Sequence, residues 1–193
     1  MNENIQFLQA FLKNPLKVGA VAPSSQDLAW QMLDGITPDE NNIIIELGVG
    51  TGAITKYIRE ILPNDRSYIG IELDERLVRS LHTRYPEMNV IAGNACDLSQ
   101  IHRDSGLGKV SYLLCCLPFV TLPEEVAEKV LSEIDSYMQQ GCLFRAFQYA
   151  HGYYTPAAIR LRRHMRDRYG YSKRSKLVAK NVPPAYTLTW STL

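Results

Sequence analysis

Apolar and polar residues follow two different rhythms along this chain. Short, nearly continuous apolar runs predict buried strands over 43–47, 67–72, 89–92, 109–116 and 142–150. Between them, apolar residues at helical spacing predict helices over 52–62, 74–85, 121–139 and 155–169. Two last strands are predicted at 176–179 and 186–190. Because strands that alternate with helices build parallel sheets, we expect an α/β fold with a mostly parallel, seven-stranded sheet and helices on both faces.

Start and stop signals sharpen some of these boundaries. Ser24 and Ser25 are good N-caps for a helix that runs to Leu33, and Thr155-Pro156 opens the basic helix. Thr121 and Glu124 have the spacing of a capping box. We therefore expect both serines and both threonines at helix starts.

Two extra helices are predicted before the first strand, over 4–13 and from Ser24 to Leu33. The first is short, apolar on one face and flanked by Lys13 and Lys17, so it suits either a membrane interface or a lid on the fold. We expect a single domain over 1–193, with a lid or membrane-facing segment at 1–38 and an α/β core at 39–193.

Charge divides the chain more sharply than the net value of +1 indicates. Residues 1–150 hold 12 Lys/Arg and 19 Asp/Glu, whereas residues 151–193 hold 9 Lys/Arg and only Asp167. The basic segment over 156–180 predicts an anionic partner such as phosphate groups, or a solvated helix face. No apolar run approaches the length of a membrane span, and the first residues do not resemble a signal peptide, which predicts a cytoplasmic location.

The four cysteines predict no metal site. Cys96, Cys115, Cys116 and Cys142 form no C-x-x-C pair, and no histidine lies at zinc-ligand spacing from them. Cys115 and Cys116 lie within an apolar run, which is typical of small buried thiols in a reducing compartment.

A glycine loop and an acid predict the binding site. Gly48, Gly50 and Gly52 come directly after the first buried strand, so a ligand can lie against bare backbone beside the next helix N-terminus. Glu72 ends the second strand, at the place where doubly wound folds hold a ribose.

The pattern E-x-G-x-G-x-G followed by an acid at the next strand end resembles the class I S-adenosylmethionine-dependent methyltransferases, which have a Rossmann-like fold. The resemblance implies S-adenosyl-L-methionine as cofactor, with the loop on its methionine part and Glu72 on its ribose. It also implies an adenine acceptor at Asn94 or, alternatively, Asp97, and packing of Leu73 on the adenine. The implied cofactor residues are Glu46, Gly48, Gly50, Gly52, Glu72, Leu73, Asn94, Ala95 and Leu117.

The segment after the fourth strand bears on the substrate. Adenine methyltransferases, including the ribosomal RNA dimethyltransferases that this chain resembles in other respects, have Asn-Pro-Pro-Phe/Tyr there. This chain has Cys-Leu-Pro-Phe, ending at Phe119, and lacks the asparagine. The difference argues against an adenine substrate and against a nucleic-acid partner.

Several segments resemble the bacterial phospholipid N-methyltransferases, which act on phosphatidylethanolamine, with relatives acting on ornithine lipids. They are Asn14 to Ser25, Leu117-Pro118-Phe119, Phe147-Gln148-Tyr149 and Asn181 to Ala185. The resemblance implies a lipid amine substrate and peripheral attachment to an anionic membrane through the N-terminal helix and the basic segment over 156–180.

For this reaction we expect a neutral amine to attack the sulfonium methyl in line, without a covalent enzyme intermediate. Tyr149 and Phe119 are the candidate catalytic residues, because aromatic faces suit methylated, cationic amines. Tyr149 is also a candidate for assisting amine deprotonation, and Arg160 or Arg163 for holding a lipid phosphate. The alternatives are an RNA methyltransferase, a non-catalytic cofactor-binding protein and a small-molecule amine methyltransferase. The oligomeric state is left open.

Overall fold

The computed structural model describes residues 23–192, and the predicted helix at 4–13 lies outside this range. The described residues contain six α-helices and seven strands. The helices are α1 (Gln26–Leu33), α2 (Thr55–Ile61), α3 (Glu75–Arg84), α4 (Leu98–Ser105), α5 (Glu124–Met138) and α6 (Pro156–Tyr169). The strands are β1 (Asn42–Leu47), β2 (Tyr68–Glu72), β3 (Val90–Ala92), β4 (Lys109–Cys115), β5 (Leu143–Tyr149), β6 (Lys173–Arg174) and β7 (Ala185–Trp190).

The seven strands form one sheet in the order β3-β2-β1-β4-β5-β7-β6. β1 to β5 are parallel, and β7 is antiparallel to both β5 and β6. The predicted mostly parallel, seven-stranded sheet is therefore confirmed. β1 and β4 are neighbours, and the chain builds the sheet outward from β1 on one side and from β4 on the other. In doubly wound folds, ligands bind where the strand order reverses in this way.

Helices cover both faces of the sheet, as predicted. On one face, Ile44 of β1 packs with buried residues of α1, α2 and α3. On the other face, Ile43 and Ile45 pack with buried residues of α4, α5 and α6. Because successive side chains of a strand point to opposite faces, both faces need apolar residues, which explains the continuous apolar run of β1.

Three local predictions differ from the structure. The capping box is wrong: α5 begins at Glu124 without a side-chain cap, because the Thr121 hydroxyl donates instead to the Pro118 carbonyl at 2.8 Å. The strand predicted at 176–179 is instead β6 at Lys173–Arg174. Its ladder ends because the amide of Thr187 donates to the Ser175 hydroxyl at 3.0 Å.

The third difference is α4, which lies where no regular element is predicted. It is short and mostly polar, and Leu98 is its one buried residue, so it has too few apolar positions to reveal a helix. Gly106, with a φ of +62°, caps its C-terminus. The caps at the other predicted starts are confirmed, since the hydroxyls of Ser25 and Thr155 accept from the amides of Leu28 and Ala158.

A buried asparagine joins the two ends of the described chain. The amide of Ser25, the N-cap of α1, donates to the side-chain oxygen of Asn181 at 2.8 Å across 156 residues of sequence. The Asn181 side chain in turn donates to the Pro183 carbonyl at 2.6 Å. α1 is thereby fixed to the loop that precedes β7.

Candidate functional site

A cavity of about 210 Å³ lies at the carboxyl ends of the parallel strands, beside the reversal between β1 and β4. Each of the five parallel strands delivers residues to its wall, at its last positions or in the loop that follows. Of the predicted site residues, those that line the cavity are Gly48, Gly50, Glu72, Leu73, Asn94, Ala95, Leu117, Phe119 and Tyr149. The topology therefore brings most of the predicted site together.

The loop after β1 requires glycine for two different reasons. Gly48 has a φ of +79°, and a Cβ there would lie 2.8 Å from a methyl carbon of Leu117 across the cavity wall. Gly52 also has a positive φ, of +81°, but its Cβ would collide with Leu81 of α3 at 2.6 Å. Gly52 thus packs the loop against α3 and does not line the cavity.

Glu72 holds the glycine loop in place from the end of β2. One of its carboxylate oxygens accepts from the amide of Gly50 at 2.7 Å, and the other accepts from the amide of Asp74 at 2.9 Å. The side chain is buried but lines the cavity. Because each carboxylate oxygen accepts more than one hydrogen bond, Glu72 can still accept from the hydroxyls of a ligand.

Glu46, also predicted to bind the cofactor, lies outside the cavity lining. It is 1% exposed, and one carboxylate oxygen accepts from the hydroxyls of Thr55 and Tyr68 at 2.8 and 2.7 Å. Burial raises the pKa of Glu46 to about 7, against the opposing effect of these hydrogen bonds. In the structure Glu46 ties β1 to β2 and to the first residue of α2.

The structure separates the two candidates for the adenine acceptor. Asn94 lines the cavity, and its side-chain oxygen accepts from the amide of Cys96 at 3.0 Å. Asp97 is exposed and does not line the cavity. Leu73 and Ala95 lie on the same side of the cavity as Asn94, in the loops after β2 and β3.

The opposite side of the cavity is aromatic. Phe119 follows β4, and Phe147 and Tyr149 lie at the end of β5. The ring centroids of Phe147 and Tyr149 are 5.4 Å apart in an edge-on arrangement. His151 stacks on the outer side of Tyr149 at 5.7 Å. Burial raises the pKa of Tyr149, so its hydroxyl stays protonated at neutral pH.

Sequence reasoning gave no individual site role to Gln148 or Arg162. Gln148 is 5% exposed and lines the cavity, and its side-chain oxygen accepts from Arg162 at 2.6 Å. Arg160 and Arg163, the predicted phosphate ligands, line a second cavity between α5 and α6. One signal was available: Arg162 lies four residues after buried Ala158, which places it at the edge of the buried face of α6.

These residues fit S-adenosylmethionine. A loop without side chains accommodates the methionine part, and the strand-end carboxylate is an acceptor for ribose hydroxyls. The amide of Asn94 and the apolar side chains of Leu73 and Leu117 suit an adenine ring. Among residues 23–192, no group of three or more His, Cys, Asp or Glu could hold a metal ion.

Comparison with known proteins identifies similar methyltransferases. Residues 44–141 match the model of the methyltransferase domain family. The ornithine lipid N-methyltransferase of Singulisphaera acidiphila is 30% identical over 129 residues, which are 65% of this chain and 67% of that protein. The ribosomal RNA small subunit methyltransferase A of Maridesulfovibrio salexigens is 30% identical over 120 residues, which are 61% of this chain and 42% of that protein.

Solved structures with the same fold are more distant in sequence. The magnesium protoporphyrin IX methyltransferase from Synechocystis PCC 6803, solved with bound cofactor, has a TM-score of 0.61 at 13% identity and covers 86% of this chain and 77% of its own. The 1,6-didemethyltoxoflavin-N1-methyltransferase of Burkholderia thailandensis has a TM-score of 0.62 at 12% identity, covering 97% and 86%. The chain belongs to the methyltransferase domain family and is a class I methyltransferase that uses S-adenosylmethionine.

Proposed function

We propose that this methyltransferase transfers methyl groups to the primary amine of a membrane lipid such as phosphatidylethanolamine or an ornithine lipid. The observation that carries the proposal is the aromatic side of the cavity, formed by Phe119, Phe147 and Tyr149. The similarity to the ornithine lipid N-methyltransferase of Singulisphaera acidiphila supports it. We also propose that residues 1–193 act as a single domain.

The faces of aromatic rings suit the alkyl amine of a lipid better than the amino group of adenine. Each methylation makes the nitrogen more substituted and finally a permanent cation, which aromatic ring faces attract without a hydrogen-bond acceptor. An adenine amine, in contrast, needs an acceptor that fixes its orientation. The position after β4 holds the partly buried Cys116, where desolvation raises the pKa of the thiol well above its usual value, and a thiol is a weak acceptor.

The side chains in the cavity position the reactants and exclude water. Bound S-adenosylmethionine supplies an electrophilic methyl group. Glu72 and the glycine loop hold the cofactor side, while Phe119, Phe147 and Tyr149 restrict the amine to one approach. Because the Tyr149 hydroxyl stays protonated, we assign Tyr149 a positioning role and expect the amine to arrive neutral, or to lose its proton to water.

We further propose that the protein acts at a membrane surface. No helix among residues 23–192 is long and apolar enough to cross a bilayer. Exposed apolar side chains occur within or beside the basic segment over 156–180, with Tyr171 88% exposed and Tyr154, Ile159, Leu177 and Val182 also exposed. A basic residue near an anionic surface contributes about 1 kcal/mol to attachment. Residues 1–38 remain our candidate for a lid or a membrane-facing segment.

An RNA substrate is the second candidate, because ribosomal RNA methyltransferases are among the relatives and the C-terminal third is basic. The chain spans less than half the length of those relatives, including 42% of the protein from Maridesulfovibrio salexigens and 20% of that from Chlorobium limicola. The substituted segment at Cys116 and Leu117 favours the lipid over the RNA.

The test offers methyl-labelled S-adenosylmethionine and, in separate reactions, vesicles of phosphatidylethanolamine, vesicles of ornithine lipid and total RNA. Phosphatidylcholine vesicles, which lack a free amine, are the matched control. We expect label in the organic phase with the amine lipids only. Label in RNA alone would overturn the lipid proposal, and label in neither would favour a small amine substrate or a cofactor-binding protein without turnover.

A further inference from the structure

Two arginines converge on one tyrosine beside the cavity. The guanidinium carbon of Arg162, on α6, lies 3.8 Å from the ring centroid of Tyr153. The guanidinium carbon of Arg174, on β6, lies 5.5 Å from the same centroid and 4.9 Å from that of Tyr186. The two tyrosine rings pack edge-on at 5.3 Å. Two elements distant in sequence thus bring two positive charges together on an aromatic support.

Neither arginine has an acidic partner among the described residues. Elsewhere on α6, Arg160 pairs with Glu124 and Arg166 pairs with Asp167. Within residues 23–192, Arg162 donates one hydrogen bond, to the side chain of Gln148, although a guanidinium has five N–H donors. Burial lowers the pKa of Arg162, and the positive charge of Arg174 adds to that effect. The Tyr153 side chain raises the pKa of Arg174, but neither guanidinium faces a carboxylate in the described part of the chain, so the two like charges favour binding of an anion.

The arginine pair adjoins the acceptor side of the cavity. The Nη1 atom of Arg162 donates to Gln148, which is itself in the cavity wall. Gly152, next to Tyr153, faces Val120 of the same wall, since a Cβ on Gly152 would lie 3.6 Å from a Val120 methyl carbon. An anionic group attached a few bonds from an amine in the cavity would therefore lie near the two guanidinium groups.

We propose that Arg162 and Arg174 form an anion subsite that binds the phosphate or carboxylate of the amine substrate. This inference rests on the proposed function and defines its substrate class as a zwitterionic amine. Guanidinium groups bind both oxyanions through paired N–H donors, and Tyr153 keeps the two groups oriented. The subsite selects molecules in which the methyl-accepting nitrogen is linked to an oxyanion.

The first experiment measures binding without turnover. Phosphoethanolamine, ethanolamine and inorganic phosphate are titrated into the full chain without cofactor, with NMR shifts as the readout. We expect phosphoethanolamine to bind more tightly than either other ligand, and the variants Arg162→Gln and Arg174→Gln to weaken it about tenfold each. Arg166→Gln is the matched control, because it removes an equal charge from the same helix as Arg162 but away from Tyr153. The affinity of this variant for phosphoethanolamine should equal that of the wild-type protein.

Equal affinities in the wild-type protein and both variants would overturn the subsite. Inorganic phosphate that binds as tightly as phosphoethanolamine would overturn the link to the amine substrate. Arg174 is an exposed strand residue, so Arg174→Gln gives a folded variant even where Arg162→Gln does not.

The second experiment measures methylation of phosphatidylethanolamine vesicles. Arg174→Gln should raise the KM for the lipid about tenfold and leave the KM for S-adenosylmethionine unchanged. An equal increase in Arg166→Gln would indicate general attraction to the membrane and would overturn the subsite. If the wild-type protein methylates no lipid, the proposed function fails, while the phosphoethanolamine titration still decides the subsite.

Discussion

Replacing Glu46 by glutamine should change how the stability of the protein depends on pH. The buried Glu46 carboxyl has a pKa raised from the ordinary 4.5 to about 7, with burial as the main cause. Glutamine has nearly the same shape and keeps an oxygen that can accept from Thr55 or Tyr68, but it does not titrate. The variant therefore separates the charge of this side chain from its packing.

The sign and magnitude follow from proton binding. Below about pH 4.5 the Glu46 carboxyl is protonated in both the folded and the unfolded state. Between about pH 4.5 and pH 7 the unfolded state releases the proton while the folded state keeps it, so the free energy of unfolding falls as the pH rises. Above about pH 7 the loss is complete and amounts to about 3 kcal/mol.

The measurement is urea denaturation of the wild-type protein and Glu46→Gln between about pH 4.5 and about pH 8. The free energy of unfolding of the variant, relative to the wild type, should increase by about 3 kcal/mol across this range. Contributions from all other titrating groups cancel in the difference. Glu60→Gln, at an exposed position on the α2 helix, is the control and should show no such trend. Parallel curves for Glu46→Gln and the wild type would refute a carboxyl that titrates near neutral pH.

Three further substitutions test the site. Glu72→Ala removes the acceptor of the Gly50 amide and should raise the dissociation constant of S-adenosylmethionine at least about tenfold in calorimetry; unchanged affinity would exclude Glu72 from the cofactor site. Gly48→Ala places a Cβ 2.8 Å from Leu117 at a positive φ and should lower the free energy of unfolding by about 1–3 kcal/mol in urea. Tyr149→Phe should keep kcat and its pH profile, because a protonated phenol is not a base. Tyr149→Ala should lower kcat/KM about tenfold. A large loss of kcat in Tyr149→Phe would contradict the positioning role.

The cofactor side of the site was predictable because its signals are local. The glycine loop between β1 and α2 and the acid at the end of β2 are defined by their positions relative to strands, and continuous apolar runs locate those strands. The parallel sheet then brings the strand ends together. The order of elements places Gly48 and Glu72 around one cavity, whereas Asn94 was expected only from the family resemblance, with Asp97 as its alternative.

Features that depend on contacts between distant elements were not predictable in the same way. In the sequence, Arg162 is one of several basic residues of α6, and only its approach to Gln148 of β5 distinguishes it. Similarly, the motif indicates a ligand-binding role for Glu46, whereas its hydrogen bonds to Tyr68 and Thr55 require β2 to pair with β1. The shortness of α4 and its few apolar residues also left that helix undetected.

The hydrogen bond between Ser25 and Asn181 has a consequence for synthesis of the protein on the ribosome. A chain that emerges N-terminus first has α1 available early, but the partner of its N-cap emerges 156 residues later. Until β7 follows, β5 is an unpaired sheet edge that can pair with other chains, and its last residues, Gln148 and Tyr149, form part of the cavity wall. A nascent chain that stalls before β7 therefore exposes an edge prone to aggregation directly beside the cavity wall.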